Sequence, residues 1–266
     1  MQKLLLGFLL AVLIALAAYR SRSLSRSGAW GALATGTIIF GLGGWQWAVV
    51  LMAFFISSSL LTRLFGKQKT SLNEKFEKGG QRDLGQVLAN GGVASFFALL
   101  NAAFPASSWT WAGFAASLAA VNADTWATEL GVLSPSLPRL VTNGKVVEKG
   151  TSGAISLFGT LAALGGSAFI ALMAVIISPV ALSDSRIAFG LICLTGLLGA
   201  LFDSFLGATV QAIYRCPKCN KETERHPLHT CGTKTVQVRG WRWLNNDLVN
   251  LACGLSAALL ILLAWR

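Results

Sequence analysis

Apolar residues run along this chain in eight long blocks, at about 4–18, 29–43, 46–62, 84–104, 109–131, 154–177, 187–213 and 245–264. A helix needs roughly 20 apolar residues, and no fewer than about 17, to cross the hydrocarbon of a bilayer. The blocks therefore predict an all-α, polytopic membrane helix bundle of about eight transmembrane helices, the first two with the least defined ends. Blocks two and three meet at GLGGWQW and blocks four and five at FPASSW, both short enough for tight hairpins. The longest polar stretch, 214–242, falls between the last two blocks, as an insert in what otherwise reads as a single transmembrane domain over 1–266.

The polar segments are sided. Nineteen of the 22 lysines and arginines fall in 19–28, 63–83, 132–153 and 214–244, the segments that eight alternating helices place on one side; Lys3, Arg186 and Arg266 are the rest. Basic loops stay cytoplasmic, so these four are expected inside and both termini outside, in a cell (inner, cytoplasmic) membrane. ALAA at 15–18 resembles a leader-peptide cleavage site. Only Lys3 precedes that block, however, and Arg20, Arg22 and Arg26 follow it, which favours a retained helix. Composition agrees with a membrane protein, at 54% hydrophobic and 12% charged. The net charge of +11 then reflects the basic loops, and no nucleic-acid partner is expected. Trp45, Trp47, Trp109, Trp111 and Trp265 are expected as anchors at the outer interface, and Trp241 and Trp243 at the inner one.

Against this pattern, four blocks carry polar residues at one depth, near the basic side. Block five ends in NADTWATELG, with Asn122, Asp124 and Glu129. Block seven carries Asp203 and Ser204 in its inner half, and block eight opens with Asn246, Asp247 and Asn250. Block four opens with Arg82, Asp83, Gln86 and Asn90. A single buried amide is most simply an interhelical hydrogen bond. Several acids at one level point instead to a site, because charge in lipid is costly and faces a bundle interior. Asp124 and Glu129 lie about 140° apart around a helix, so they need not serve the same atom. Carboxylates without a matching set of buried lysines suggest a divalent cation, and hard oxygen ligands suggest Mg²⁺, held by Asp124, Asp203 and Asp247.

The loop before block six reads KGTSG and leads into that block. Gly150, Thr151, Ser152 and Gly153, with N–H groups at a helix start, suit phosphate oxygens, and Lys145 and Lys149 supply charge. The same four residues would also serve as a plain helix cap. The insert carries CPKCNKETERHPLHTCG. Cys216, Cys219 and Cys231, with His229 or alternatively His226, fit a tetrahedral structural Zn²⁺ site. Cys193 and Cys253 lie within blocks and read as apolar packing.

The stretches RDLGQVLANGG, NADTWATELG, KGTSGAIS, GALFDSFLGATVQ and RGWRWLNNDLVN, in that order, resemble the blocks of the integral membrane family of domain of unknown function 92. That family includes transmembrane protein 19 and the plant phytyl-phosphate kinase. A looser likeness to dolichol kinases and phosphatidate cytidylyltransferases is carried by Asp124, Ala127 and Gly131. The plant branch implies a kinase that transfers a phosphoryl group from a nucleoside triphosphate, CTP in the first instance, to a prenyl monophosphate held in the bilayer. On that reading Arg82 holds the acceptor phosphate, Lys145 and GTSG clamp the donor, and Asn90, Asn246 and Asn250 line the site with the catalytic acids Asp124, Glu129, Asp203 and Asp247. Two other readings use the same features. A transporter or flippase for a lipid phosphate needs a polar path to the outer side, and the outer halves carry none. A scaffold that docks through the Cys/His insert has no use for acids within the membrane.

Overall fold

The computed structural model describes residues 2–66, 74–76, 78–105 and 107–265. Lys67 and Lys69 of the second basic loop, Ala106 of the FPASSW hairpin and Arg266 lie outside these residues. Eight α-helices fall on the eight apolar blocks: α1 (Gln2–Arg20), α2 (Arg26–Ile38), α3 (Trp45–Phe65), α4 (Leu84–Ala103), α5 (Ser108–Gly131), α6 (Leu157–Ile176), α7 (Ser185–Thr209) and α8 (Asn246–Ala264). The chain is a multi-pass integral membrane protein. Six of the helices, α1, α3, α4, α6, α7 and α8, are long and apolar enough to cross a bilayer. The α2 helix is shorter and continues as a π-helical turn, Ile39–Gly43.

The α5 helix has the length to span, but its sequence is rich in Ala, Thr and Trp rather than Leu and Ile. The reason is its place. It packs against α3, α4, α6, α7 and α8, and every residue from 110 to 123 is buried. A helix wrapped by other helices meets small side chains, not lipid, and close backbone approach supplies the packing. A Cβ at Gly199 of α7 would lie 2.8 Å from Ala120 Cβ of α5 and 2.9 Å from the Cys253 carbonyl oxygen of α8. That glycine sets the spacing of three helices.

Helix starts on the basic side are capped by side chains, which satisfies backbone donors that lipid cannot. Ser25 accepts from Gly28 N at α2, and Asp83 and Gln86 form a capping box at α4. Ser156 accepts from Gly159 N at α6, and Asn245 accepts from Leu248 N at α8. Helix α6 therefore starts a few residues later than the apolar block does. Residues 154–155 are extended instead, because β2 (Ala154–Ile155) pairs antiparallel with β1 (Arg139–Leu140). Helix α7 likewise stops at Thr209, short of the block's end at 213. Its last carbonyls, on Gly207 and Ala208, accept from the Arg239 guanidinium. The chain then turns into β3 (Ile213–Cys216), the middle strand between β4 (Lys221–Thr223) and β5 (Val236–Arg239). The insert is thus a small three-stranded antiparallel sheet on a mostly helical protein.

Two tryptophans depart from the expected interfacial belt. Trp45 is exposed, but Trp47 and Trp111 are buried and meet edge to face, centroids 5.3 Å apart, with Phe114 beside both. The Trp111 Nε1–H donates to the Ala174 carbonyl at 3.2 Å. Gly43 admits the Trp47 ring, since a Cβ there would be 2.4 Å from it. Hydropathy cannot distinguish an aromatic anchor from an aromatic core at a helix end; the neighbouring glycine does.

Candidate functional site

At the end of the bundle where α3, α5 and α7 finish and α4, α6 and α8 begin, a cavity of about 470 Å³ opens between the helices. Asp124 and Glu129 reach it from α5, Asp203 and Ser204 from α7, and Asn90 from α4. Asn246 and Asn250 reach it from α8, and Arg82 from the turn before α4. Gly150, Thr151, Ser152 and Gly153 close it from the loop before α6. The fold thus gathers residues from positions 82 to 250 into one pocket, whose polar walls stand against an apolar bundle.

Each group is held differently. Asp203 has a buried oxygen, Oδ2, without a hydrogen-bond partner among the described residues. A buried carboxylate oxygen left unsatisfied is costly, and facing a polar cavity it suits a hard cation. Asp124 lines the same cavity and offers the same donor type. Glu129 accepts from the Thr62 hydroxyl at 2.9 Å, which ties α5 to α3. The Arg82 guanidinium donates to the hydroxyls of Ser58 (2.9 Å) and Ser59 (3.0 Å) on α3, and lies over the Phe54 and Phe55 rings. Asn122 is fully buried and structural: its amide donates to the Gly166 carbonyl and its oxygen accepts from Ser57.

Asp247 does not line the cavity. It accepts from Lys78, whose ammonium also meets Asp83 at 2.9 Å and does line it. Gly85 makes room for that pair, since a Cβ there would lie 2.3 Å from Asp247 Oδ2. Lys145 sits exposed in the turn before β2, outside the cavity. Lys149 stands at the wall instead, its ammonium donating to the carbonyls of Val132 (3.0 Å) and Ser134 (2.6 Å) past the end of α5.

The phosphate-loop candidate is braced from behind. Ser152 Oγ donates to Gln211 Oε1 at 2.8 Å, and Gln211 Nε2 donates to Glu224 Oε1 at 3.0 Å. Gln211 is 1% exposed. Gly153 has φ +78°, and a Cβ there would lie 2.2 Å from Ala208 N. Only glycine lets the loop rest on the end of α7. Thus the loop is anchored to α7 and, through Glu224, to the insert.

In the insert, Cys216, Cys219, His229 and Cys231 offer ligand atoms within 4.8 Å of one another, a group that could hold a metal ion such as zinc. The Cys216 and Cys231 sulfurs are 3.6 Å apart, against about 3.8 Å for two thiolates on one tetrahedral Zn²⁺. His229 turns Nδ1 toward Cys231 at 3.3 Å, while Nε2 points at Glu74, 4.0 Å away. At that distance Glu74 makes no hydrogen bond to the ring, and Nε2 is buried without a hydrogen-bond partner among the described residues. The Cys231 thiol is pulled down to about 5, first by the Thr233 hydroxyl and then by His229, which favours the ligating thiolate. His226 instead stacks on Tyr214, centroids 4.5 Å apart.

The sequence profile of the family described as Integral membrane protein DUF92 matches residues 9–258. The chain belongs to the DUF92 integral membrane family. It is similar to Protein PGR of Arabidopsis thaliana, at 33% identity, with 98% of this chain and 96% of that protein covered. It is similar also to an uncharacterized membrane protein of Methanocaldococcus jannaschii, at 36% identity over 77% and 82%. Protein VTE6, chloroplastic, of Arabidopsis thaliana is 27% identical over 86% of this chain and 61% of its own length. No solved structure matches the chain.

Three residues of this DUF92 site escape a reading of its sequence: Lys78, Gln211 and Glu224. Lys78 stands five residues before the Asp83 cap, in a basic loop where its own charge reads only as topology. Gln211 carries a better signal, as a polar residue just where block seven gives way to the insert.

Proposed function

We propose that the chain is a membrane phosphotransferase. It transfers the terminal phosphoryl group of a nucleoside triphosphate, CTP in the first instance, to a prenyl monophosphate of the phytyl or geranylgeranyl type, at the cytoplasmic face. An oxygen of the acceptor phosphate bonds to the donor's terminal phosphorus, the bond to the bridging oxygen breaks, and the nucleoside diphosphate leaves. One observation carries the reading. The unpartnered buried oxygen of Asp203 shares a cavity with Asp124, a glycine-rich loop and the cations Arg82, Lys78 and Lys149, where the bundle meets water. Membership beside Protein VTE6 and the likeness to the phytyl-phosphate kinase branch support the choice of substrate.

The acids fit Mg²⁺: Asp124 and Asp203 would hold it, and it would neutralise charge on the donor phosphates. Asp247, expected as a third ligand, serves here by fixing Lys78 at the wall. Lys149 and the 150–153 loop seat the donor, and Arg82 the acceptor. Glu129 orients α3 behind Arg82 through Thr62. The acceptor is already anionic and needs little help from a base, so positioning and charge neutralisation dominate. Purified protein in vesicles with Mg²⁺, CTP and labelled phytyl monophosphate should yield the diphosphate, and Asp124→Asn should not. Normal turnover by Asp124→Asn would remove the site assignment. No product from any prenyl monophosphate with any nucleotide would remove the function.

A further inference from the structure

A second cavity lies between α1, α2, α3 and α4, lined almost wholly by apolar side chains. Three of its residues, Arg82, Gln86 and Asn90, also line the polar cavity. The two spaces are therefore neighbours across one short polar wall. Arg82 is the hinge of that wall. Its guanidinium lies between the serine hydroxyls of α3 and the rings of Phe54 and Phe55, and those two rings belong to the apolar cavity. The opposite wall is made of small residues, Ala11 and Ala15 on α1 and Gly36 on α2. It is closed by Phe40, in the π-helical turn that follows α2.

An amphiphile whose phosphate rests on Arg82 must send its chain out of the polar cavity. Lipid tails and a protein interior are equally apolar, so a chain leaving the bilayer beside its bound head group needs an apolar space to receive it, and the polar cavity offers none. We infer that the apolar cavity between α1, α2, α3 and α4 receives the near end of the acceptor's prenyl chain, entering past Arg82. The inference rests on the proposed lipid-phosphate acceptor. It names α1, α2, α3 and α4 as the elements that select the chain.

Gly91 of α4 gives a way to fill the cavity. A Cβ at this position meets only Thr35 of α2, at 3.8 Å, an ordinary contact, and both residues line the space. A leucine there would extend across it. Gly190 of α7, where a Cβ meets nothing within 4 Å, is the matching control for added bulk.

The test uses the whole protein in vesicles and a prenyl monophosphate carrying a diazirine in its first isoprene unit. Photolabelling of the wild type, mapped by mass spectrometry, should fall on α1, α2, α3 and α4 at this cavity. Unlabelled prenyl monophosphate should compete it away. Gly91→Leu should lose the label and raise KM for the prenyl acceptor about tenfold, with KM for the nucleotide unchanged; Gly190→Leu should do neither. Label confined to the outer faces of α6 and α7, or unaltered by Gly91→Leu, would overturn the inference even if the enzyme turns over. Label in the cavity without turnover by any nucleotide would leave it standing and remove the phosphotransferase reading. Wild-type labelling keeps the test decisive should Gly91→Leu fail to fold.

Discussion

The cavity at the helix ends, which we propose as a Mg²⁺ site, and the Cys/His insert, whose ligand atoms could hold a metal ion, are assembled in opposite ways. In the insert the ligands come from sixteen consecutive residues, 216–231, on two tight knuckles. Asn220 (φ +52°) and Gly232 (φ +80°) turn the backbone at each knuckle. In the cavity the acids come from α5 and α7, about eighty residues apart, and their meeting depends on helix packing through Gly199. The insert carries its geometry locally, and on the zinc reading the ion would hold its small sheet together. The cavity takes its geometry from the bundle and would keep it without an ion. Ser152, Gln211 and Glu224 join the two.

The widest separation between the regions should appear in turnover. Asp203→Asn removes a charge without changing shape, so phosphoryl transfer should fall about a hundred- to a thousandfold while gel filtration in detergent stays unchanged. Unfolding by this variant would mean that Asp203 is structural. The insert should respond the other way. Cys216→Ser should abolish bound zinc in elemental analysis, expose 214–242 to protease, and lower turnover only about tenfold, the scale of a supporting contact. A wild-type protein that carries no zinc and yet resists protease there would break the comparison.

Between these extremes lies the junction. Gln211→Leu removes the amide that joins Ser152 to Glu224, and a broken buried hydrogen-bond pair costs about 1–3 kcal/mol. We expect a rise in KM for the nucleotide with kcat nearly kept. Ser152→Ala should do the same, and the double variant should add little, because the two residues act through one contact. Additive losses would separate the loop from the insert.

The same contrast explains what was legible beforehand. The eight helices follow from a one-dimensional pattern, since lipid imposes length and hydropathy on each of them. The Cys/His group follows from spacing within a single segment. For the cavity, residue depth identified Asp124, Asp203, Asn90 and Arg82, because a charge placed in lipid is conspicuous at any position. Depth says nothing of pairing. Hence the sequence offers Asp247 as a cation ligand and gives no sign of its pairing with Lys78, 169 residues away. Of the two lysines the sequence offers beside the loop, Lys145 is exposed and Lys149 stands at the wall. Trp47 and Trp111 were read as anchors for the same reason: hydropathy reports the environment of a helix, and tertiary contact decides which side of it a residue faces.

The smallest expected effect belongs to the rim, where Asp83 serves as a cap and as one of two carboxylates around Lys78. Asn caps a helix as well as Asp does, so Asp83→Asn isolates the charge. Burial pushes the Asp83 carboxyl up, but the Gln86 backbone N–H and the Lys78 ammonium outweigh it and hold the carboxyl below its usual range. Such a group contributes stability at pH above its unfolded value and loses it as pH falls through the folded one. Lys78 is also buried in part, and Asp247 and Asp83 more than offset that and raise it, so its share is lost only on the alkaline side. Wild type should therefore exceed Asp83→Asn by less than about 1 kcal/mol at neutral pH, because the Asp83 side chain is 37% exposed and solvent screens the pair. Below about pH 4 the two melting curves should converge. If the two curves stay apart below that pH, Asp83 does not carry the charge that steadies Lys78, and Asp247 alone holds the cation at the cavity wall.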